Sequence, residues 1–217
     1  MLFTRGLYDL ALSEYQSFIK QYPEDTLIEK ARFGIAESYF FKEENEQALS
    51  AYQEYMTAFP QSSTIPVAQL RLGQIYFALH QYPQALEALQ KVQSTDLPKN
   101  LHQTLLFNLG RTQLQLMQMD QAIQHLEKAA QDTQSSEHTS VSYLLLGNAF
   151  LEKKQTDQAL GAYQSAQEHA SNDEEKAWVK YKMGETQFLK ELYPEAITTF
   201  NEFITQYPDH RLKREAV

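Results

Sequence analysis

An alanine returns every 37 residues, at Ala11, Ala48, Ala85, Ala122, Ala159 and Ala196, and this period constrains the fold more than any other feature of the chain. Other columns keep the same register. Twelve residues ahead of the last five alanines stands a small residue (Ala36, Gly73, Gly110, Gly147, Gly184), preceded each time by an apolar one (Ile35, Leu72, Leu109, Leu146, Met183). Four residues after each alanine comes a large apolar side chain: Tyr15, Tyr52, Leu89, Leu126, Tyr163 and Phe200. Twelve residues after come Pro23, Pro60 and Pro208, with Pro98 one place late. A fixed period held by several independent columns marks a repeat architecture, in which each unit buries its faces against its neighbours.

Within each period the chain reads as two helices. Residues 66–79 place Val67, Leu70, Ile75, Phe77 and Leu79 around Gly73, and residues 84–92 continue with Leu86, Leu89 and Val92 on one side. Few β-branched residues interrupt, and Ala, Leu, Gln and Glu dominate. Pro83 and Pro194 at second-helix starts, and Pro66 at a first-helix start, lose nothing, because an N–H in the first turn has no intrahelical partner. Thr26 with Glu29 and Ser171 with Glu174 have capping-box spacing. The predicted fold is therefore all-α: a solenoid of antiparallel helix pairs, about eleven helices in all. The small residues are expected where helices cross closely. A mid-helix glycine costs about 1 kcal/mol relative to alanine, so four in register imply a packing reason.

The first copy lacks its first helix: Leu2 and Phe3 fall at the columns of Tyr39-Phe40 and Tyr76-Phe77, the last turns of first helices. At the other end, residues 209–217 would only begin a next unit. Neither end carries the polar cap that solenoids usually have. Residues 1–217 are expected to form one solenoid domain, a piece of a longer protein, the alternative being simple fraying of the termini. The polar stretches 94–100 and 132–137 are the expected places for local bending.

Composition narrows the function. Nineteen basic and 28 acidic residues give a formal charge of −9, which disfavours nucleic acid. Cysteine is absent, excluding disulfides and thiolate metal sites. No apolar run is long enough to span a membrane, and the first residues lack the features of a signal peptide. The six histidines form no HExxH and no close helical pair. Glu43-Glu44 and the run Asp173, Glu174, Glu175 suit turns and helix starts. Gly6, Gly34 and Gly161 are isolated, so no phosphate loop is encoded, and no serine has a GxSxG context. No catalytic residue, metal or cofactor is expected.

The order of small residue, aromatic or apolar residue, alanine and proline resembles the tetratricopeptide repeat signature. It reads Leu72-Gly73, Tyr76, Ala85, Leu89 and Leu146-Gly147, Phe150, Ala159, Tyr163, and the resemblance covers essentially the whole chain. The period here is three residues longer than the family's usual one. Segments such as ARFGIAESYF and YPEAITTFNEFITQYPDH resemble a lengthened bacterial subfamily that includes the periplasmic coordinator of the Tol–Pal system and the lipoprotein of the outer-membrane β-barrel assembly machine. The resemblance implies a right-handed solenoid and a non-enzymatic scaffold for protein–protein contact in the bacterial periplasm or at the outer membrane, with the cytoplasm open. An accessory or regulatory repeat domain of a larger multidomain enzyme or secretion machine is the alternative.

In that family the first helix of each pair lines the concave face. Its groove positions fall here on Phe33, Glu37, Phe40, Leu70, Gln74, Phe77, Phe107, Arg111, Leu144, Asn148, Trp178, Tyr181 and Glu185. Glu37, Gln74, Arg111, Asn148 and Glu185 occupy one column and form a polar ladder. The apolar members suit a protein or peptide segment, and each also suits packing within or between pairs. Only Lys30, Arg111 and Asn148 match the family's clamp for C-terminal carboxylates, and they lie in different repeats, so that ligand class is not expected. Self-association through the uncapped ends is a further expectation.

Overall fold

A computed structural model describes residues 7–132 and 137–215. Among them are eleven α-helices and three short 3₁₀ turns, with no strand. Helix α1 (Tyr8–Gln21) stands in the register of a second helix. Five pairs follow: α2 (Ile28–Phe41) with α3 (Asn45–Ala58), α4 (Ile65–Ala78) with α5 (Tyr82–Gln90), α6 (His102–Gln115) with α7 (Met119–Ala130), α8 (Thr139–Glu152) with α9 (Thr156–His169), and α10 (Asp173–Leu189) with α11 (Tyr193–Gln206). The expected solenoid of paired antiparallel helices is present. The chain divides into two compact units, Met1–Leu97 and Pro98–Val217. Their boundary falls in the polar stretch 94–100, which holds 3₁₀ turns at Ser94–Asp96 and Lys99–Leu101. Most of the other polar stretch, and Leu2, Phe3 and Gly6, lie outside the described residues.

Within each unit consecutive helices pack on one another. Every alanine of the 37-residue column is buried. The glycines explain that column's spacing. A Cβ on Gly73 would fall 2.5 Å from Leu89 Cγ and one on Gly110 2.6 Å from Leu126 Cγ; Gly147 faces Tyr163, and Gly184 faces Phe200, in the same way. Each glycine thus admits the large side chain four places after the alanine of its own pair. Gly34, isolated in the sequence, is also a contact: the ring of Tyr15 on α1 occupies the space of its missing Cβ. Gly161 has open space.

The turn inside every pair is one motif repeated. Glu43, His80, Met117, Lys154 and Glu191 have φ between 58° and 61°, the left-handed region. After α2, Glu43 N–H donates to Phe40 C=O at 3.0 Å and Glu44 N–H to Tyr39 C=O at 3.1 Å. The bond of the second type recurs at Gln81, Gln118, Gln155 and Leu192. This is the Schellman closure, which satisfies the last carbonyls of a helix and normally takes glycine at the left-handed residue.

The two expected capping boxes are not made as spaced. Thr26 does not cap α2: Leu27 is its N-cap, and Asp25 Oδ1 accepts from Leu27 N–H at 2.8 Å instead. On α10 the box sits one residue later. Asn172 Oδ1 accepts from Glu175 N–H at 2.9 Å while Glu175 Oε2 accepts from Ser171 N–H at 3.0 Å. With Asp173, Glu174 and Glu175 in its first turn, α10 begins three residues earlier in the register than α8, as carboxylates at a helix N-terminus favour.

Candidate functional site

In the first unit the ladder is a held network rather than a row of free side chains. Glu37 lies on α2 with its side chain 13% exposed. It accepts a hydrogen bond from the Tyr52 hydroxyl of α3 and another from Arg71 Nε of α4 at 3.1 Å. Arg71 Nη1 donates to Gln74 Oε1 at 3.0 Å. The guanidinium lies over the Phe40 ring at 4.6 Å and the Phe41 ring at 5.4 Å, a favourable cation–π geometry. Burial, reinforced by the Glu37 carboxylate, pushes the Tyr52 hydroxyl well above the ordinary tyrosine range. The apolar candidates here pack. Leu70 is fully buried, Phe33 is tilted against Tyr55 with ring centroids 5.3 Å apart, and Phe77 meets the edge of Tyr82 at 5.3 Å.

Arg71 was not among the expected site residues. Its column holds Gly34, Asn108, Leu145 and Lys182 in the other pairs, so periodicity could not expose it. Its position one helical turn before Gln74 was the available signal.

In the second unit Phe107 is buried and stacked on His138, with centroids 4.3 Å apart and planes 11° from parallel. The Arg111 guanidinium lies 5.3 Å from the Phe107 centroid. Burial brings Arg111 down to about 10, still protonated at neutral pH. Burial also lowers His138, Glu137 opposing and Arg111 reinforcing the shift. Asn148 Oδ1 accepts from the Tyr163 hydroxyl at 2.7 Å, repeating between α8 and α9 what Glu37 and Tyr52 do between α2 and α3. Leu144 packs at the edge of the same hydrophobic cluster.

The last pair is more open. Trp178 packs beside Tyr181, Phe203 and Leu212, with Arg211 at 5.0 Å over its ring. Tyr181 is buried; its hydroxyl donates to Glu215 Oε2 at 3.3 Å, and burial together with Glu185 and Glu215 pushes it up to about 12. Lys182 Nζ reaches Glu185 at 2.7 Å. Between α10 and α11 lies a cavity of about 580 Å³, walled by Tyr181, Glu185, Phe188, Ile197, Phe200 and Glu215 among others. Ile197 and Phe200 belong to a second helix, so first-helix groove positions could not include them.

Thus Glu37, Phe40 and Gln74 come together around Arg71, Phe107 with Arg111, and Tyr181 with Glu185. Among the described residues no group of His, Asp and Glu is placed to hold a metal ion, and no helix is long and apolar enough to cross a membrane.

Residues 100–172 match a family model described as Tetratricopeptide repeat, and residues 30–62, 67–95 and 178–210 match a second model of the same description. No curated protein matches the sequence. Among solved structures the chain is similar to YrrB, a TPR protein with an unusual peptide-binding site, at 22% identity and a TM-score of 0.71 over 93% of this chain and 96% of that one. It is similar to PilF of Pseudomonas aeruginosa at 16% identity and a TM-score of 0.74, over 99% of this chain and 90% of that one. Residues 41 to the end of MamA from Desulfovibrio magneticus align at 20% identity and a TM-score of 0.70, over 84% of this chain and 97% of that one. At these identities the likeness concerns the fold.

Proposed function

The chain belongs to the tetratricopeptide repeat family, and from that premise we propose that it is a non-enzymatic scaffold that binds protein or peptide segments along its first helices. One observation carries this reading. The polar ladder is half-buried and oriented by second-helix tyrosines, Tyr52 on Glu37 and Tyr163 on Asn148, while large apolar side chains such as Phe41 remain exposed beside it. Fixed polar groups next to partly exposed apolar ones suit an extended segment that presents backbone amides and apolar side chains, and pre-orientation lowers the ordering cost of binding. The engagement of Glu37 by both Tyr52 and Arg71 supports a positioning role over an acid–base one. The peptide-binding site of YrrB lends support by likeness of fold.

Peptides selected on the purified protein test this. Phe41→Ser with Gln74→Lys, both on first helices of the first unit, is expected to weaken such a peptide about tenfold or more while far-ultraviolet circular dichroism stays unchanged. An unchanged affinity would discard the ladder as the binding row. Within the same proposal the scaffold acts at the cell envelope in assembly or coordination, a reading that rests on the sequence resemblance to lengthened bacterial repeats. Fractionation of the native organism that recovered it from the cytosol alone would remove that part. The accessory-domain alternative is decided by the sequence of the full gene product. Self-association is assigned to the α1 side, where Leu7 and Leu10 are exposed; sedimentation that showed only monomer at high concentration would exclude it.

A further inference from the structure

A buried glutamine on α4 faces open space. Gln69 is 8% exposed, and its carboxamide has no hydrogen-bond partner among the described residues. Gln103, buried on α6, shows what such a group ordinarily does. Its amide donates to Ala129 C=O and to Thr139 Oγ1, both at 3.0 Å, and its Oε1 accepts from His138 N–H at 3.1 Å. Buried polar side chains are nearly always satisfied in this way, because an unpaired amide costs stability. In front of Gln69 lies a cavity of about 310 Å³, set over α4 between α3 and α5 and wholly within the first unit.

The lining of that cavity is neutral. Buried Leu72 and Ala88 and half-buried Met56 make it apolar on one side. Around them stand the carboxamides of Gln53 and Gln84 and the hydroxyl of Tyr76, which accepts from Gln53 Nε2 at 3.1 Å. Its two charged residues, Glu87 and Lys91, pair with each other at 2.7 Å along α5. The register shows why space remains here. One period earlier, between α1 and α3, Arg32 takes the place of Gln69 and Glu54 that of Lys91, and the cavity is only about 110 Å³. Three periods later Lys180 stands in the place of Gln69 and Glu202 in that of Lys91, and the two join at 2.7 Å. On α4 the residue is shorter and uncharged, and Lys91 is held along its own helix.

We propose that this cavity binds an extended, uncharged segment of another protein, with one backbone amide of the segment paired to the Gln69 carboxamide and one aliphatic side chain laid on Met56, Leu72 and Ala88. A carboxamide carries a donor and an acceptor side by side, as a peptide unit does, so the two match in a pair of hydrogen bonds. A charged group entering the same place would lose its hydration without an unpaired opposite charge to meet, which excludes it. The cavity shares no residue with the network of Glu37, Tyr52, Arg71 and Gln74, so the proposal stands or falls apart from the ladder reading.

The probe is acetyl-Gly-Leu-Gly-methylamide, which carries no charge, titrated into the isotope-labelled intact chain and followed by NMR. Saturable shifts are expected at the Gln69 side-chain amide and the Met56 methyl. Gln69→Leu is expected to weaken binding about tenfold or more; leucine already stands in the same register at Leu106, so the variant should keep the helical circular dichroism of the parent. Gln69→Arg, which copies the Arg32 arrangement, is expected to abolish binding. Methylating the leucyl nitrogen of the probe removes its N–H without touching the protein and should cost a similar factor. Phe41→Ser with Gln74→Lys should leave the probe's affinity unchanged. No saturable shift at Gln69, equal binding by the methylated probe, or indifference to Gln69→Leu overturns the proposal. So do equal shifts with N-acetylglucosamine, which would assign the cavity to a sugar, and shifts of Gln69 on dilution of the chain alone, which would assign it to a second copy.

Discussion

At the scale of single residues, two mid-helix glycines should respond oppositely to alanine. Gly161 lies within α9 with no atom near its missing Cβ. Gly161→Ala is expected to stabilise by about 1 kcal/mol through helix propensity alone. Gly110 gains the same propensity, but the new methyl would sit 2.6 Å from Cγ of the fully buried Leu126. Overpacking of this kind costs about 1–3 kcal/mol, so Gly110→Ala is expected to destabilise. In a Leu126→Ala background the obstruction is gone and the sign should reverse. Urea midpoints at constant m-value measure all three. His138 gives a pH dependence. Its folded-state value lies below 6.5 because burial disfavours the imidazolium, with Arg111 adding to the effect. Below that ordinary value the unfolded chain binds the extra proton first, so the stability from neutral His138 is complete above about pH 6.5 and is lost as pH falls below it. His138→Phe keeps a ring on Phe107 and removes the titration. Its urea midpoint should fall less between pH 7.5 and pH 5 than that of the parent, and equal falls would show that His138 is not the group responsible.

At the scale of the element, the five Schellman turns carry strain that glycine would relieve. Met117 has φ 58° and is 71% exposed, so its side chain buries little. A non-glycine residue there costs about 1–2 kcal/mol, partly offset by the greater entropy that glycine loses on folding. Met117→Gly is expected to raise stability by about 0.5–1 kcal/mol, read as an upward shift of the thermal midpoint; a lower midpoint would count against the strain. This motif was hidden from the sequence because Glu43, His80, Met117, Lys154 and Glu191 share no chemistry: the backbone sets the turn. What could be read were columns whose side chains do share chemistry, namely the buried alanines, the small residues and the large residues opposite them. Pairing, helix number and close contacts followed from those. Capping was misread because α2 starts without a side-chain cap and α10 takes Asn172 in place of Ser171. For the candidate site, the ladder column was visible as a row of polar residues at one register, but not its engagement. Tyr52 and Tyr163 read as core residues, and their hydroxyls become ladder partners only once second helices lie against first helices.

At the scale of the whole molecule, stability in a repeat protein is close to a sum of local terms, each pair contacting its neighbours. The described clusters follow that rule: one joins α2 to α5, another α6 to α10, and a third the last pair with Leu212. A defect should therefore be felt near its origin. Phe203 is fully buried among Ala177, Tyr181 and Leu212, and Phe203→Ala should cost about 3–5 kcal/mol by leaving a cavity. In a cooperative globule that loss would lower the protection of every core amide together. In this chain amide hydrogen exchange is expected to accelerate in α10 and α11 and to fall off toward α8, while α2 to α4, in the compact unit Met1–Leu97, keep the rates of the parent. Parallel acceleration in α2 to α4 would show instead that the chain unfolds as one cooperative body. The distinction bears on function, since the last pair could then open locally without disturbing the ladder network around Arg71.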